Sequence, residues 1–263
     1  MSIYTMGIDV GSTASKCVIL KDGSEIVAKS LVPVGTGTSG PARAIAEVLD
    51  NAKMTREQMD FVLATGYGRN SLDGLADLQM SELSCHAKGA TYLFPDVHTV
   101  VDIGGQDVKV IEIENGMMKN FVMNDKCAAG TGRFFEAMAR SFELSLPEFS
   151  KLSLTAKNVI PITAQCTVFA ESEVITLVGE GKPMDEIAAG IEMAVAKRCF
   201  VMAKKAGATD SITLTGGCAK NDGLKEAIEH VLKLKVVNLK TDPQLMGALG
   251  AAEYARQKGM AKK

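Results

Sequence analysis

Two short turns combine glycines with polar side chains and follow an aspartate, which is the chemistry of a site for phosphate and Mg²⁺. The first turn follows Asp9 and consists of Gly11, Ser12, Thr13, Ala14, Ser15 and Lys16. The second follows Asp102 and consists of Gly104, Gly105, Gln106 and Asp107. Glycine permits close backbone approach, and backbone N–H groups in such turns form anion cradles. Asp9 and Asp102 are oxygen ligands suited to Mg²⁺, directly or through water.

Each turn by itself would be interpreted as a plain hairpin that uses glycine for its positive φ. The same combination occurring twice, each time with an aspartate two residues earlier, favours a pair of phosphate-binding turns that face each other across a cleft. Gln106 is the candidate for orienting an attacking water, on the basis of its place in the second turn. Both turns join two strands, so they are neither a Walker loop nor a Rossmann fingerprint, since those loops enter a helix.

A third glycine-rich turn, LTGGCAKN, lies between the strand-like SITL and the helical pattern GLKEAIEHVL. Its candidate nucleotide contacts are Gly216, Gly217 and Lys220. Such a turn can lie flat against a base or hold a phosphate at a helix N-terminus. Gln244 is a further candidate contact. The small residues of MGALGAAEYA, which follow it, indicate close helix packing.

The six cysteines form no CxxC pair, so a disulfide framework is a poor interpretation. Cys127 and Cys166 both precede helical patterns, with Thr167 as the expected N-cap of the second. Near a helix N-terminus the macrodipole favours thiolate, which suits an anionic iron–sulfur cluster. The remaining cysteines have the context of small buried residues: Cys17, Cys85, Cys199 and Cys218. A zinc site stays possible, although the spacing matches no common zinc pattern.

A 4Fe–4S cluster usually takes four thiolates, and one chain offers two in a suitable context. A two-fold homodimer would bring two copies of Cys127 and two of Cys166 around its axis. The nearby Glu171 and Glu173 are equally well interpreted as a solvated helix face or as dimer contacts.

An internal repeat positions the two phosphate turns. Asp9, Gly11, Lys16 and Gly23 recur at an offset of 93 as Asp102, Gly104, Lys109 and Gly116, and Gly37 and Thr38 recur as Gly130 and Thr131. Strand patterns and Asp-Gly or Asn-Gly turns predict a βββα unit used twice. DFVLATG (60–66) and DSITLTG (210–216) match at an offset of 150, so the second copy carries an insertion of 57 residues (150 minus 93), between about 134 and 209.

Composition excludes several other classes. The 263 residues carry a formal charge of −2 and are 46% hydrophobic, with no Trp. This balance argues against a nucleic-acid binder and against wholesale disorder. No apolar run is long enough to span a bilayer, and no signal-type segment begins the chain, so a cytoplasmic protein without membrane attachment is expected.

The motifs GIDVGSTASK, DIGGQD, LTGGCAKN and GALGAA resemble, in order and spacing, the phosphate, adenosine and connecting motifs of the actin, hexokinase and heat-shock chaperone superfamily. The resemblance implies an α/β fold of duplicated ribonuclease-H-like lobes with ATP or ADP and Mg²⁺ in an inter-lobe cleft. The expected domains are 1–95, with the helix 246–263 packing back on it, and 96–245, which includes the cluster-bearing insertion.

MNDKCAAGTGRF and TAQCTVFAESEVI resemble the activator component of 2-hydroxyacyl-CoA dehydratases, most closely the activators of 2-hydroxyglutaryl-CoA dehydratase. The resemblance implies a homodimer that holds one bridging 4Fe–4S cluster through Cys127 and Cys166. It also implies an electron taken from ferredoxin or flavodoxin and passed to the dehydratase with ATP hydrolysis. The ATPase subunits of benzoyl-CoA reductase are related, and a small-molecule kinase of the same fold is a further alternative.

Overall fold

The computed structural model describes residues 2–72, 74–163, 166–208 and 210–261. The chain divides into two compact units. The first comprises Met1–Val97, Ile113–Lys119 and Leu239–Lys263, and the second comprises His98–Glu112 and Asn120–Asn238. Within the described ranges, no helix has both the length and the apolar character that crossing a membrane requires.

The first sheet has five strands in the order β3-β2-β1-β4-β5. β1 pairs antiparallel with β2 and parallel with β4. β1 and β4 are buried along almost their whole length, as expected for strands that are covered on both faces. β3 is partly exposed, with buried and accessible residues interspersed. Their bounds are Tyr4–Val10 (β1), Ser15–Lys21 (β2), Glu25–Val32 (β3), Phe61–Thr65 (β4) and Leu78–Gln79 (β5).

The second sheet has the same topology, in the order β10-β9-β6-β7-β8. β6 pairs antiparallel with β7 and parallel with β9, as β1 does with β2 and β4. The bounds are Thr99–Ile103 (β6), Val108–Glu114 (β7), Met117–Asn124 (β8), Ile212–Thr215 (β9) and Val236–Val237 (β10). The matching strand orders confirm the duplication that the repeated residues predict.

Tight turns close the matching hairpins with the residues that tolerate positive φ. Asp22 and Gly23 have φ of 54° and 70°, and Asn115 and Gly116 have φ of 52° and 72°. These values are those of a two-residue turn that suits the twist of paired strands. The predicted Asp-Gly and Asn-Gly turns are therefore present, one in each of the two sheets.

Eight helices complete the described part of the chain. α1, α2 and α8 belong to the first unit, and the others belong to the second. Their bounds are Gly40–Ala52 (α1), Glu82–Leu93 (α2), Gly132–Ser141 (α3), Leu146–Ser153 (α4), Thr167–Gly179 (α5), Met184–Ala206 (α6), Asp222–Leu232 (α7) and Met246–Met260 (α8). α3 to α6 occupy the segment that the offsets mark as inserted, and they pack around Phe135, Phe149 and Met138 in the core of the second unit.

Small residues let α8 lie directly against α2 and β1. An ideal Cβ on Gly250 would overlap the carbonyl group of Cys85, and one on Gly7 would overlap the backbone of α8 at Ala248. The small residues of MGALGAAEYA therefore serve close packing, as their spacing indicates. This contact joins the C-terminal helix to the first sheet.

We expect Gly250→Ala to lower the free energy of unfolding by about 1–3 kcal/mol, because the new methyl group has no room between α8 and α2. Gly179→Ala is the matched control, since it also adds a methyl group to a helix but meets no atom within 4 Å. The control should be neutral or stabilising by less than about 1 kcal/mol. Denaturant unfolding of both variants measures the difference, and equal stabilities would contradict the packing account.

Candidate functional site

The first phosphate turn is closed by a backbone hydrogen bond between β1 and β2. The Gly11 N–H donates to the Ala14 carbonyl oxygen at 2.9 Å, and the Gly11 carbonyl accepts from the Thr36 N–H at 2.9 Å. Ser12 and Thr13 lie at the accessible tip. The turn is thus fixed at its base while its polar tip can meet a ligand.

Ser15 and Ala14, two of the predicted contacts, have other partners. The Ser15 side chain is fully buried, and its hydroxyl donates to the Val34 carbonyl oxygen at 2.9 Å. Ala14 is 6% exposed and supplies the carbonyl that closes the turn. Within this turn, the geometry favours Gly11, Ser12 and Thr13 as ligand contacts and gives Ser15 a structural role.

The second turn repeats the first in its backbone geometry. The Gly104 N–H donates to the Asp107 carbonyl oxygen at 2.9 Å. Gln106 is exposed, and Gly105 is half-buried. The position of Gln106 at the accessible tip is compatible with the water-orienting role that the sequence suggests.

A buried aspartate and a lysine stand behind each turn. Lys16 Nζ lies 3.1 Å from Asp9 Oδ2, and Asp9 is 3% exposed. Lys109 Nζ lies 3.3 Å from Asp102 Oδ2 and 2.8 Å from Asp107 Oδ2. A buried carboxylate is costly unless a cation or hydrogen-bond donors face it, so each pair satisfies both partners.

The neighbouring parallel strand ends against the same carboxylate in both units. Gly66 and Gly216 have φ of 91° and 82°, a conformation that glycine adopts without strain. An ideal Cβ on Gly66 would lie 2.5 Å from Asp9 Oδ1, and one on Gly216 would lie 3.0 Å from Asp102 Oδ1. The Thr215 hydroxyl also donates to Asp102 Oδ1 at 2.7 Å. Gly66 was absent from the predicted site, although its match to Gly216 at the offset of 150 signals it.

His86 is a second residue that sequence reasoning did not place at the site. It is 7% exposed on α2. An ideal Cβ on Gly247 would lie 2.8 Å from Asp9 Oδ2 and 3.0 Å from His86 Nε2, so the imidazole and the carboxylate converge on this glycine. No motif in the sequence signals this contact, because α2 and α8 meet β1 only through tertiary packing.

The third turn is the 3₁₀ segment Gly217–Lys220, which follows β9 and leads to α7. Lys220 and Gly217 are exposed, whereas Cys218 is buried. Gln244 lies in the first unit, in a 3₁₀ turn that begins after Asp242, and its N–H donates to Asp242 Oδ1 at 3.0 Å.

Exposure separates the six cysteines into the two groups that their context predicts. Cys127 and Cys166 are exposed, and the other four are buried. Burial raises the pKa of the Cys85 and Cys199 thiols to about 12 and also raises the pKa of Cys17 and Cys218. Metal ligation requires thiolate, so the four buried thiols are poor ligands.

The helix that follows Cys166 begins one residue earlier than expected. Cys166 itself is the N-cap of α5, with φ of −87° and ψ of 139°, and its carbonyl oxygen accepts from the Ala170 N–H at 2.8 Å. The prediction of Thr167 as the N-cap is wrong, because Thr167 is already the first helical residue of α5. The thiol therefore projects from the helix N-terminus.

The chain around each exposed cysteine is held by hydrogen bonds. Asn124 Nδ2 donates to the Cys127 carbonyl oxygen at 2.9 Å. Glu173 on α5 accepts from the Thr163 N–H at 3.0 Å and from the Thr163 hydroxyl at 2.9 Å, which gives that glutamate a local role. Among the described residues of one chain, no three His, Cys, Asp or Glu side chains group together as metal ligands would.

The model of the BadF/BadG/BcrA/BcrD ATPase family matches residues 6–255, and the chain belongs to this family. This membership confirms the expected ATP-hydrolysing enzyme, and the two matching sheets confirm the expected actin-like fold class.

Among its relatives, the chain is 59% identical to the (R)-2-hydroxyglutaryl-CoA dehydratase activating ATPase of Acidaminococcus fermentans, over 98% of this chain and 99% of that one. It is 31% identical to one of the subunits of the benzoyl-CoA reductase of Thauera aromatica, over 94% and 91% of the two chains. A solved structure of the 2-hydroxyisocaproyl-CoA dehydratase activator from Clostridium difficile with bound ADPNP superposes with a TM-score of 0.93. It is 44% identical and covers 99% of this chain and 97% of that one.

We expect Lys109→Met to destabilise the protein by about 3–5 kcal/mol, because it leaves the buried Asp102 carboxylate without its cation. Lys119→Met is the matched control, since Lys119 pairs with Glu114 at 2.9 Å on the exposed surface. The control should change stability by less than about 0.5 kcal/mol. Equal losses of unfolding free energy in the two variants, measured by denaturant unfolding, would show that the buried pair stabilises the fold no more than the exposed pair does.

Proposed function

We propose that this chain is the ATP-dependent activator of a 2-hydroxyacyl-CoA dehydratase, most closely of the 2-hydroxyglutaryl-CoA type. In this proposal two copies share one 4Fe–4S cluster through Cys127 and Cys166. The cluster supplies one electron, which comes from ferredoxin or flavodoxin, and ATP with Mg²⁺ drives its transfer to the dehydratase. The observation that carries the proposal is the 59% identity to such an activator along nearly the whole of both chains.

The two matching turns support the nucleotide part of the proposal. Each presents a polar tip and a buried aspartate at the end of the first strand of its sheet. We propose that Ser12, Thr13 and the backbone of both turns hold the phosphates, that Asp9 and Asp102 hold Mg²⁺ directly or through water, and that Gln106 orients the attacking water. The relative with bound ADPNP has the same fold throughout its length.

The two exposed thiols support the cluster part of the proposal. They are the exposed members of a set of six, and Cys166 stands at a helix N-terminus, where the macrodipole stabilises negative charge. Two ligands from each copy complete the usual set of four. The donor set therefore fits a cluster shared about a two-fold axis.

Direct contacts between the second turn and α3 support a link from nucleotide to cluster. The Gly132 N–H donates to the Gly104 carbonyl oxygen at 2.8 Å, and the Arg133 N–H donates to the Gly105 carbonyl oxygen at 2.9 Å. α3 begins at Gly132, a few residues after Cys127. A shift of the turn on nucleotide binding would thus act on the segment that carries this thiol.

A second set of contacts connects the third turn, through α7 and α6, with the segment that leads to Cys166. The Ile160 N–H donates to the Glu186 carbonyl oxygen at 3.1 Å, and an ideal Cβ on Gly190 would overlap the Ile160 carbonyl oxygen. The segment therefore rests directly on the backbone of α6, which also packs against α7 beyond the third turn.

The surface of α5 supports a role in protein contacts. Val168, Phe169 and Ile175 are 66%, 69% and 58% exposed, an unusual amount of apolar surface for one short helix. Because Cys166 is the N-cap of α5, a homodimer contact or a docking dehydratase would cover this surface next to the thiol.

The energy required explains why a hydrolysed nucleotide is used. Raising one electron by ~300 mV costs about 7 kcal/mol, since 59 mV corresponds to about 1.4 kcal/mol. Ordinary allosteric coupling supplies about 1–3 kcal/mol. Effector binding of that strength falls short, whereas ATP hydrolysis adds a further source of free energy.

We expect Cys127→Ser and Cys166→Ser each to abolish the brown colour and the bound iron and sulfide of anaerobically purified protein, because each removes two of four ligands from a dimer. Cys17→Ala and Cys85→Ala are the controls, since both thiols are buried. The controls should keep wild-type iron content. Similar iron loss in all four variants would refute the ligand assignment.

We expect the reduced protein to activate a 2-hydroxyglutaryl-CoA dehydratase only when ATP and Mg²⁺ are present. Dehydration of the 2-hydroxyacyl-CoA is measured with the activator at catalytic amounts, and ADP replaces ATP in the control. If the protein activates a benzoyl-CoA reductase complex instead of the dehydratase, the partner is that related enzyme. Activation that is independent of nucleotide would refute it.

A further inference from the structure

Glu192 is a buried carboxyl group for which neither the motifs nor the proposed chemistry has a role. It lies on α6 and is 1% exposed. Its Oε2 atom has no hydrogen-bond partner among the described residues. Burying an acid in this way is unfavourable, so its position calls for a compensating interaction.

The other carboxyl oxygen contacts the residue that ends the third turn. Asn221 Nδ2 donates to Glu192 Oε1 at 2.8 Å. Asn221 immediately follows Gly217–Lys220 and is the N-cap of α7, where its Oδ1 accepts from the Leu224 N–H at 3.0 Å. Because both ends of the Asn221 amide are engaged, Glu192 fixes the orientation of the cap and with it the exit of the turn.

Neighbouring groups make this corner of the second unit tightly packed. The Gly223 N–H donates to the Ser150 hydroxyl at 3.2 Å. An ideal Cβ on Gly223 would overlap Ser153 Oγ and would lie 3.3 Å from Glu192 Oε1. α4, α6 and the start of α7 therefore meet next to the Glu192 carboxyl group.

The electrostatic surroundings favour the neutral acid. Burial raises the pKa of Glu192 to about 8, and the hydrogen bond from Asn221 opposes the increase. The Ser150 and Ser153 hydroxyls of α4 lie at Gly223, next to the Glu192 carboxyl group, and Cys218 of the turn interacts electrostatically with it. The other titratable groups that act on Cys218 are Asp102, Cys199 and Glu136, from β6, α6 and α3. These groups are acidic or thiol groups, so none of them stabilises an ionised Glu192.

We propose that Glu192 is a positioning residue for adenine-nucleotide binding, which acts by holding Asn221 and thereby the turn Gly217–Lys220 against α6. The inference rests on the proposed function, because that function assigns the turn to the adenosine part of ATP. Glu192 itself contacts the cap of α7 and takes no part in hydrolysis.

Because Glu192 is protonated in the folded chain, its contribution to the stability of the fold depends on pH. The folded chain keeps the Glu192 proton up to a pKa of about 8, whereas the unfolded chain loses it near 4.5. The folded state therefore binds more protons between these values, and its stability falls as pH rises through this range relative to a variant that cannot ionise. Above a pH of about 8 the carboxyl group ionises in its buried site. Because the cost of burying the charge exceeds the gain from the Asn221 hydrogen bond, the ionised group favours leaving this contact and should hold the turn less well.

Calorimetric titration of the full chain with ADP and Mg²⁺ tests the inference with Glu192→Gln and Glu192→Leu. Glu192→Leu should weaken ADP binding about tenfold, the cost of losing one capping contact, whereas Glu192→Gln keeps an acceptor for Asn221 and should bind nearly as wild type does. From about pH 7 to about pH 9, wild-type affinity should fall and that of Glu192→Gln should not. Ile187→Val, which trims a buried side chain elsewhere on α6, is the control for simple loss of packing.

Each outcome decides the matter. Wild-type ADP affinity in a folded Glu192→Leu variant, or identical pH profiles for wild type and Glu192→Gln, would overturn the inference. Should Glu192→Leu fail to fold, the comparison of pH profiles decides by itself. A wild-type chain that does not bind ADP at all would overturn the proposed function and the inference together. A wild-type chain that binds ADP, with variants that behave as it does, would overturn the inference alone.

Discussion

A buried aspartate at the end of the first strand organises each of the two units. A carboxylate with 3% exposure is stable only where a cation and hydrogen-bond donors surround it, and both units meet that need with a lysine from the next strand. The same group requires glycine at the end of the neighbouring parallel strand, because a side chain there would collide with it. The lysine of the next strand and the positive φ of Gly66 and Gly216 thus both accommodate this carboxylate.

The insertion in the second unit carries one of the two thiols that are proposed to hold the cluster. Its helices supply a core around Phe135 and Phe149, and the same segment contains Cys166 and begins just after Cys127. Both thiols are exposed, while the four cysteines that belong to strands, helix interiors or the third turn are buried. The direct hydrogen bonds from α3 to the second phosphate turn place one thiol segment next to a group that is proposed to respond to nucleotide.

Local patterns predicted the fold well because each hairpin repeats the same turn chemistry and each strand carries a clear apolar pattern. The predicted βββα unit occurs twice, as β1 to β3 with α1 and as β6 to β8 with α3, and the two-lobe repeat follows from only a few identities at fixed offsets. The site was harder to predict, since its details depend on contacts distant in sequence. His86 and Asp9 both lie against Gly247 of α8, Ser15 donates to Val34 and not toward the tip of the turn, and Glu192 accepts from Asn221 at the start of another helix. No spacing rule connects such residues.

The proposed metal centre is one that two identical chains complete together. Iron and sulfide analysis of the anaerobically purified protein, combined with its mass in solution, tests this claim most directly. We predict about four iron and about four sulfide per two chains in a dimer, because each chain offers two of the usual four thiolates. A colourless monomer that still activates its dehydratase, or a full cluster held by a single chain, would contradict the account.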